Sequence, residues 1–162
     1  MLTALLLTLA QVTPSQPMPR GTGLPPATEA GAETQAVLGA VQRLLTALEQ
    51  GDRAAILATA KADGGATAAL ERPDGARRVR RMGWVEFAAQ FTPGPDRFSE
   101  AISDPAVEVD GDIAMVWAPY VARRNGAVSH CGYDHFDLVR EDGQWKVLNV
   151  TWSQRTTGCP AR

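Results

Sequence analysis

The sequence predicts an α+β fold in which three N-terminal helices wrap a strongly curved antiparallel sheet, giving a cone with one open pocket. Tight turns are the first observation behind this prediction. Asp-Gly or Asn-Gly pairs stand at 110–111, 125–126 and 142–143, and these residues readily adopt the positive φ of hairpin turns. The turns separate a C-terminal meander of four strand-like runs, at 98–109, 113–123, 128–140 and 145–153. Strands as long as these must twist and curl.

Helical periodicity is the second observation, and it is confined to the residues before the meander. The first helix is predicted at 28–50, where apolar residues form one stripe. Gly51 ends this helix, and Asp52 caps a second helix at 53–61. A third helix, at 84–91, sets four apolar side chains on one face: Trp84, Phe87, Ala88 and Phe91. This aromatic face indicates core, or the floor of a cavity, rather than a cofactor site.

A basic hairpin is predicted between the second and third helices, at 66–81, with its turn at Pro73-Asp74-Gly75. Charged residues on a sheet edge prevent edge-to-edge aggregation, so an exposed, solvated edge is the favoured interpretation. An anion or phosphate site is the alternative. The basic residues concerned are Arg72, Arg77, Arg78, Arg80 and Arg81.

The overall composition fits one globular domain and argues against some classes of function. The chain has 162 residues, of which 44% are hydrophobic and 21% charged, an ordinary mix for a single domain. Its net charge of −2 argues against a nucleic-acid partner, because no positive field would gather phosphates. No run approaches the roughly 20 apolar residues that span a bilayer, so no stable membrane span is predicted.

The N-terminus differs in composition from the rest of the chain. Residues 1–10 are apolar apart from two threonines and resemble the core of a secretory signal, with a small-residue cleavage site at Ala10 before Gln11. Residues 11–27 are rich in Pro and Gly and are typical of a disordered linker, which leaves 28–162 as the folded domain. A periplasmic or secreted location is therefore predicted. A terminus without a targeting role is the alternative, because no Lys or Arg precedes the apolar run.

The last two runs of the meander carry a family resemblance. Residues 130–138 read His-Cys-Gly-Tyr-Asp-His-Phe-Asp-Leu, an Asp-Gly turn follows, and 145–152 form a Trp-Lys-aliphatic strand that ends in Trp. With the order of helices before it, this pattern resembles a nuclear-transport-factor-2-like domain over about 28–153. The chain is most similar to small exported proteins of the putative lumazine-binding or SnoaL-like polyketide-cyclase type. That group includes isomerases, hydrolases, dehydratases, accessory subunits and proteins without known chemistry, so the resemblance implies the fold rather than a reaction.

Two mechanisms known in the superfamily lack their residues in this chain. Ketosteroid isomerases place a Tyr on the first helix as an oxyanion donor, and 28–50 contains no Tyr. Epoxide hydrolases of this fold use an Asp–Arg–Asp set around one water, and no matching arrangement is visible in the sequence. A catalytic role would therefore have to rest on the third run of the meander.

The third run alternates between two faces and supplies the candidate catalytic residues. Phe136 and Leu138 are apolar and are expected to face the core. By strand alternation, His130 and Asp134 then lie on the same, concave face. The backbone positions of His130 and Asp134 are roughly 13 Å apart along the strand. One interpretation is general acid–base catalysis, with the near-neutral pKa of a His and an Asp pKa raised by burial. The favoured interpretation is a polar pair that orders the sheet. His135 lies on the other face from His130, so no metal site is predicted.

The predicted function is that of an exported small-ligand-binding or accessory domain with one pocket on the concave face and no cofactor. Its ligand would be a small apolar or aromatic molecule. The alternative is an isomerase, hydratase or hydrolase that uses His130 and Asp134 for proton transfer. Strand alternation puts Trp117 and Tyr120 on opposite faces of the sheet, unless a bulge at Pro119 changes the alternation. The predicted pocket residues are Trp84, Phe87, Trp117, Tyr120, Phe136 and Trp152.

The two cysteines can meet if the last hairpin turns at Asp142-Gly143. Cys131 would then lie opposite about Ser153, and Cys159 follows six residues later, with a Thr-Thr-Gly segment that gives enough slack to return. Export would place the pair in an oxidising compartment. A Cys131–Cys159 disulfide is therefore predicted, and two unpaired thiols are the alternative.

Both faces of the last two strands are apolar, with Val147 on one face and Leu148 and Val150 on the other. One face covers the pocket and the helices. The other face also needs a cover, and a second copy of the sheet would supply it. A homodimer through the sheet is therefore predicted.

Overall fold

The computed structural model describes residues 27–160, so the signal-like segment at 1–10 and nearly all of the linker at 11–27 lie outside the described part of the chain. Within that part, the helices are α1 (Ala27–Gln50), α2 (Arg53–Thr59) and α3 (Trp84–Ala88). The strands are β1 (Ala60–Glu71), β2 (Arg77–Gly83), β3 (Phe98–Ile102), β4 (Ala106–Asp110), β5 (Ile113–Arg124), β6 (Ala127–Glu141) and β7 (Gln144–Gln154).

The strands form one mixed sheet of seven in the order β2-β1-β7-β6-β5-β3, and β4 also pairs with β5. β3 and β4 follow one another along the same edge of β5, with β3 on its C-terminal half and β4 on its N-terminal half. β1 and β7 run parallel, whereas the other neighbouring strands are antiparallel. The last strand of the sheet in chain order therefore lies in its interior, between β1 and β6.

The α+β class is confirmed, but the prediction of a strongly curved, wholly antiparallel sheet is wrong. The sheet is mixed and is not strongly curled. The run 98–109 is two strands rather than one, and between them Asp104 has a φ of 43°. The ladder between β5 and β6 shifts register after Ala122, and the ladder between β6 and β7 shifts after Asp137. The parallel pair joins β1 to the last strand in chain order, so the local hairpin turns did not indicate it.

The three predicted hairpin turns are confirmed. Asn125 and Gly126 have φ values of 53° and 80°, and Asp142 and Gly143 have values of 50° and 73°. At the first turn Gly111 has a φ of 56°. Because only Asn, Asp and Gly adopt such angles readily, the turns were visible in the sequence.

The helices begin close to the predicted positions but two of them end earlier. Asp52 caps α2, since its carboxylate accepts a hydrogen bond from the Ala55 amide at 3.0 Å. α2 ends at Thr59 because Ala60 already pairs with Val147 of β7. α3 ends at Ala88 rather than at residue 91.

The core lies between the apolar stripe of α1 and the inner face of the sheet. Trp84 of α3 joins the two layers, because its indole N–H donates to the Leu148 carbonyl at 3.1 Å. The fully buried members of this core include Val37, Val41, Leu44, Ile56, Val116, Phe136, Leu138 and Val147. Toward one end of the sheet this packing leaves a space, which is the candidate site.

Candidate functional site

A cavity of about 520 Å³ lies between the helices and the inner face of the sheet. The C-terminal part of α1 forms one wall, α3 and the loop that follows it form another, and β3, β6 and β7 form the floor. Small-ligand pockets usually have volumes of roughly 300–1,000 Å³. The cavity is therefore large enough for a compact organic molecule.

Aromatic rings form a connected wall of this cavity. The ring of Phe87 lies 5.8 Å from that of Trp152 and 5.1 Å from that of Phe91, measured between centroids. Phe91 in turn lies 5.4 Å from Phe98. Edge-on and tilted contacts at these distances are favourable for aromatic pairs. This side of the cavity is apolar and suits a flat ring.

Three titratable side chains lie on the strands that form the floor of this cavity: Glu100 on β3, and His130 and Asp134 on β6. His130 is half-buried, and its Nδ1 lies 3.2 Å from Ser129 Oγ. Asp134 is only 2% exposed, and its Oδ2 has no hydrogen-bond partner among the described residues. The sheet register explains how β3 reaches this site, because Glu100 pairs with Ala122, which pairs with His130.

The surroundings favour the neutral form of each of these groups. Burial raises the pKa of Asp134, and the nearby Glu100 carboxyl raises it further. Burial also raises the pKa of Glu100. Burial and the positive charge of Arg124 lower the pKa of His130. The cavity thus holds an imidazole that resists protonation beside carboxyls that keep their protons to higher pH than ordinary Asp and Glu side chains.

Tyr120 lies next to the cavity rather than in its lining. Its ring meets the His130 ring edge-on, with centroids 5.7 Å apart, and its hydroxyl donates to the Ser153 carbonyl at 3.0 Å. Burial raises the pKa of Tyr120, and the nearby carboxyls of Glu100 and Asp134 raise it further. Because its hydroxyl proton is already used, Tyr120 supports His130 and is not placed as an oxyanion donor.

The structure places five of the predicted site residues in the cavity lining: Phe87, His130, Asp134, Phe136 and Trp152. Of the three titratable residues on the floor of the cavity, Glu100 is the one that the sequence prediction missed. A signal was present, because strand alternation puts Glu100 on the same face as Phe98. That signal is not decisive, since the sequence predicts one long strand at 98–109 and does not indicate its partner strand.

Two other predicted pocket residues lie elsewhere. Trp117 is on the outer face of the sheet, 46% exposed, and stacks on Tyr133 with ring centroids 5.2 Å apart. The β5–β6 register passes Pro119 without a shift, so strand parity keeps Trp117 on the face opposite to Tyr120. Trp84 is buried in the core and does not line the cavity.

The C-terminal tail is fixed to the sheet on the side opposite the cavity floor. Cys131 and Cys159 form a disulfide, with their Cα atoms 5.6 Å apart. The backbones of Cys131 and Arg155 exchange two hydrogen bonds of 3.0 Å. Cys131 is consequently 1% exposed. The tail thus continues the β6–β7 ladder beyond the end of the last strand.

The described residues offer neither a metal site nor a membrane-spanning helix. Between residues 27 and 160, no group of three or more His, Cys, Asp or Glu side chains is placed to hold a metal ion. In that same part of the chain, no helix combines the length and apolar character needed to cross a bilayer.

A family model described as "Putative lumazine-binding" matches residues 32–153, from α1 to β7. The chain belongs to this family. The putative lumazine-binding family is part of the nuclear-transport-factor-2-like superfamily, and its match covers the elements that build the cavity. Among curated proteins, none matches the chain.

Several solved structures share the fold at low sequence identity. A protein of unknown function from Mycobacterium tuberculosis is 20% identical with a TM-score of 0.61, over 81% of this chain and 76% of that one. A putative dehydratase of the NTF2-like family from Streptomyces avermitilis is 18% identical with a TM-score of 0.61, over 79% and 99%. An NTF-2 like protein of unknown function from Silicibacter pomeroyi is 19% identical with a TM-score of 0.58, over 78% and 98%. These similarities extend to the fold alone.

Proposed function

We propose that this member of the putative lumazine-binding family binds a small, mostly apolar or aromatic molecule in the cavity. The observation that carries the proposal is the combination of a connected aromatic wall with a buried, unpartnered carboxyl in one space of about 520 Å³. Ligand pockets are typically apolar with a few placed polar groups. Trp152 and Phe87 would contact the ring of the ligand, and His130 and Asp134 would bind its polar atoms.

The second candidate function is proton transfer to or from the bound molecule. It is favoured by one specific observation, namely that Glu100 joins His130 and Asp134 in the cavity. A neutral imidazole beside carboxyls of raised pKa is suited to general acid–base catalysis near neutral pH. One structurally similar protein is described as a putative dehydratase. In this version of the proposal, His130 is the base and Asp134 or Glu100 the acid.

Replacing His130 by Ala is expected to weaken ligand binding by roughly 5- to 100-fold. The reason is that a lost hydrogen bond to a buried partner costs roughly 1–3 kcal/mol. Binding can be measured by calorimetry with two probes, lumazine and the neutral aromatic alcohol naphthylethanol. His135→Ala is the matched control, because His135 lies on the same strand but on the outer face, and it should leave both affinities unchanged.

Three results would separate the versions of this proposal. Equal losses in the two His variants would contradict a role of the His130 side chain in binding. Failure of both probes to bind the unmodified protein would contradict a binding cavity. A catalytic His130 would instead leave affinity nearly intact and lower the turnover of a substrate by roughly 10²–10⁴-fold.

We further propose that the outer face of the sheet pairs with a second copy of this chain. The supporting observation is the exposure of large apolar side chains on this face: Trp117 at 46%, Tyr133 at 40% and Ile113 at 61%. Exposed apolar patches of this kind are typical of interaction surfaces. Trp117→Glu should convert a dimer to a monomer in light-scattering measurements, whereas Val85→Glu, at an exposed site on α3, should not. A monomeric unmodified protein would contradict the pairing.

We also propose that the protein is exported. It is supported by the signal-like composition of residues 1–10 and by the disulfide between Cys131 and Cys159, because disulfides persist mainly in oxidising compartments.

A further inference from the structure

The charged groups that face the cavity are unbalanced. α1 contributes one carboxyl, the loop after α3 another and β3 a third, while β5 contributes a guanidinium and β6 a carboxyl and an imidazole. The side chains from α3 and β7 in the lining are uncharged. In chain order, the charged and titratable groups are Glu49, Asp96, Glu100, Arg124, His130 and Asp134.

Neither basic group of the lining neutralises the inner carboxyls. Arg124 pairs with Asp96, with 3.8 Å between Nη1 and Oδ2. His130 is held toward its neutral form, because burial and the charge of Arg124 lower its pKa. Glu100 and Asp134 are therefore two carboxyls without a cationic partner among the described residues.

Of these two carboxyls, Asp134 would be stabilised more by a cationic partner. It is 98% buried, and its Oδ2 accepts no hydrogen bond from any described residue. A buried carboxylate without a partner is strongly unfavourable. In the empty cavity a proton can remove that charge, and in the occupied cavity a cationic group of the ligand can do so.

The surroundings of Asp134 also suit an organic cation. In the β6–β7 register Asp134 stands directly opposite Trp152, and Phe136 is the next residue on the same face. A carboxylate beside aromatic rings can bind an ammonium group through a charge-assisted hydrogen bond and through cation–π attraction. An anionic ligand would instead find no free cationic group at the floor of the cavity, because Arg124 is paired with Asp96.

We propose that the cavity selects molecules that combine a flat apolar body with one protonated amine, and that Asp134 and Glu100 bind the amine while the aromatic wall holds the body. This inference rests on the proposed binding function and names the class of its ligand. It predicts that the ligand supplies the positive charge that the described part of the chain lacks at this position.

The test compares two probes of nearly the same shape, naphthylethylamine and naphthylethanol, by calorimetry on the full chain at about pH 9. The amine is expected to bind at least about tenfold more tightly, because a hydrogen bond to a charged group is stronger than a neutral one. Asp134→Asn should abolish this preference and Glu100→Gln should reduce it. Asp137→Asn, on the same strand but on the outer face, should leave it unchanged.

The pH dependence supplies a second readout. Burial raises the pKa of Glu100 to about 7 and that of Asp134 to about 9, so both carboxyls take up protons at a higher pH than ordinary Asp and Glu side chains. The amine should therefore lose affinity as the pH falls from about 9 to about 6, because this is the range in which the two carboxyls lose their negative charge. The affinity of the alcohol should not fall.

Two outcomes would overturn the inference in different ways. If the alcohol binds the unmodified protein as tightly as the amine, or if the preference survives in both Asp134→Asn and Glu100→Gln, the assignment of an amine ligand is wrong and the binding cavity stands. If neither probe binds, the cavity proposal fails with it.

Discussion

Replacing Gly132 by Ala is expected to lower the free energy of unfolding by about 2–4 kcal/mol. A Cβ atom at this position would overlap the carbonyl oxygen of Ser153 on β7, which is backbone and cannot rotate away. That carbonyl also accepts a hydrogen bond from the Tyr120 hydroxyl, and the Ser153 hydroxyl accepts one from the Tyr133 backbone amide at 3.0 Å. A shift of β7 would disturb both contacts. Urea denaturation followed by circular dichroism measures the change.

Gly83→Ala is the matched control for this variant. No heavy atom lies within 4 Å of a Cβ built at Gly83, and its φ of −70° is open to any residue. We expect a change within about 0.5 kcal/mol, as for most surface substitutions. Equal stability of the two variants would show that the close approach at Gly132 does not constrain the sheet.

Replacing Cys159 by Ser is expected to lower the free energy of unfolding by about 3–4 kcal/mol. The disulfide closes a loop with a sequence separation of 28 residues, and the chain-entropy model gives a stabilisation of this size for such a loop. Cys159 is the better position to change, because Cys131 is buried in the sheet and its replacement would add a packing defect.

Reductant provides the control for the Cys159 variant. The unmodified protein in reductant should unfold at the denaturant concentration of Cys159→Ser, and the variant itself should not respond to reductant. Two titratable thiols in the purified protein without reductant, with stability insensitive to reductant, would contradict a stabilising disulfide but would leave the sheet arrangement untouched.

Much of the order of helices, strands and turns along the chain could be predicted from short stretches of sequence. Asn125-Gly126 and Asp142-Gly143 predicted turns because few other residues adopt positive φ, and both turns form with such angles. The apolar stripe of the first helix and the cap at Asp52 predicted α1 and the start of α2 in the same way. These features depend on neighbours within a few residues, so one sequence is sufficient to recognise them.

The features that the sequence did not predict depend on long-range pairing. Nothing near Ala66 indicates that it will lie beside Val150 in a parallel pair, and this pair changes the sheet from antiparallel to mixed. The position of Glu100 in the cavity depends likewise on its pairing with Ala122. By contrast, strand parity alone put His130 and Asp134 on the face of Phe136, which is where the structure has them.

The interior position of β7 also has a consequence for how the chain folds. β1 and β2 are made early, but the strand that joins them to the rest of the sheet is the last one to emerge, about half the chain later. Before that strand is available, the β1–β2 hairpin can pack only on helices. The edges of β1 and β6 that β7 will occupy stay unpaired during this time. We expect the pairing of β1 with β7 to be a late step, because contacts between distant parts of a chain pay a large loop-closure entropy and slow folding. A nascent chain would therefore leave β1 and β6 without their common neighbour until this C-terminal strand is released.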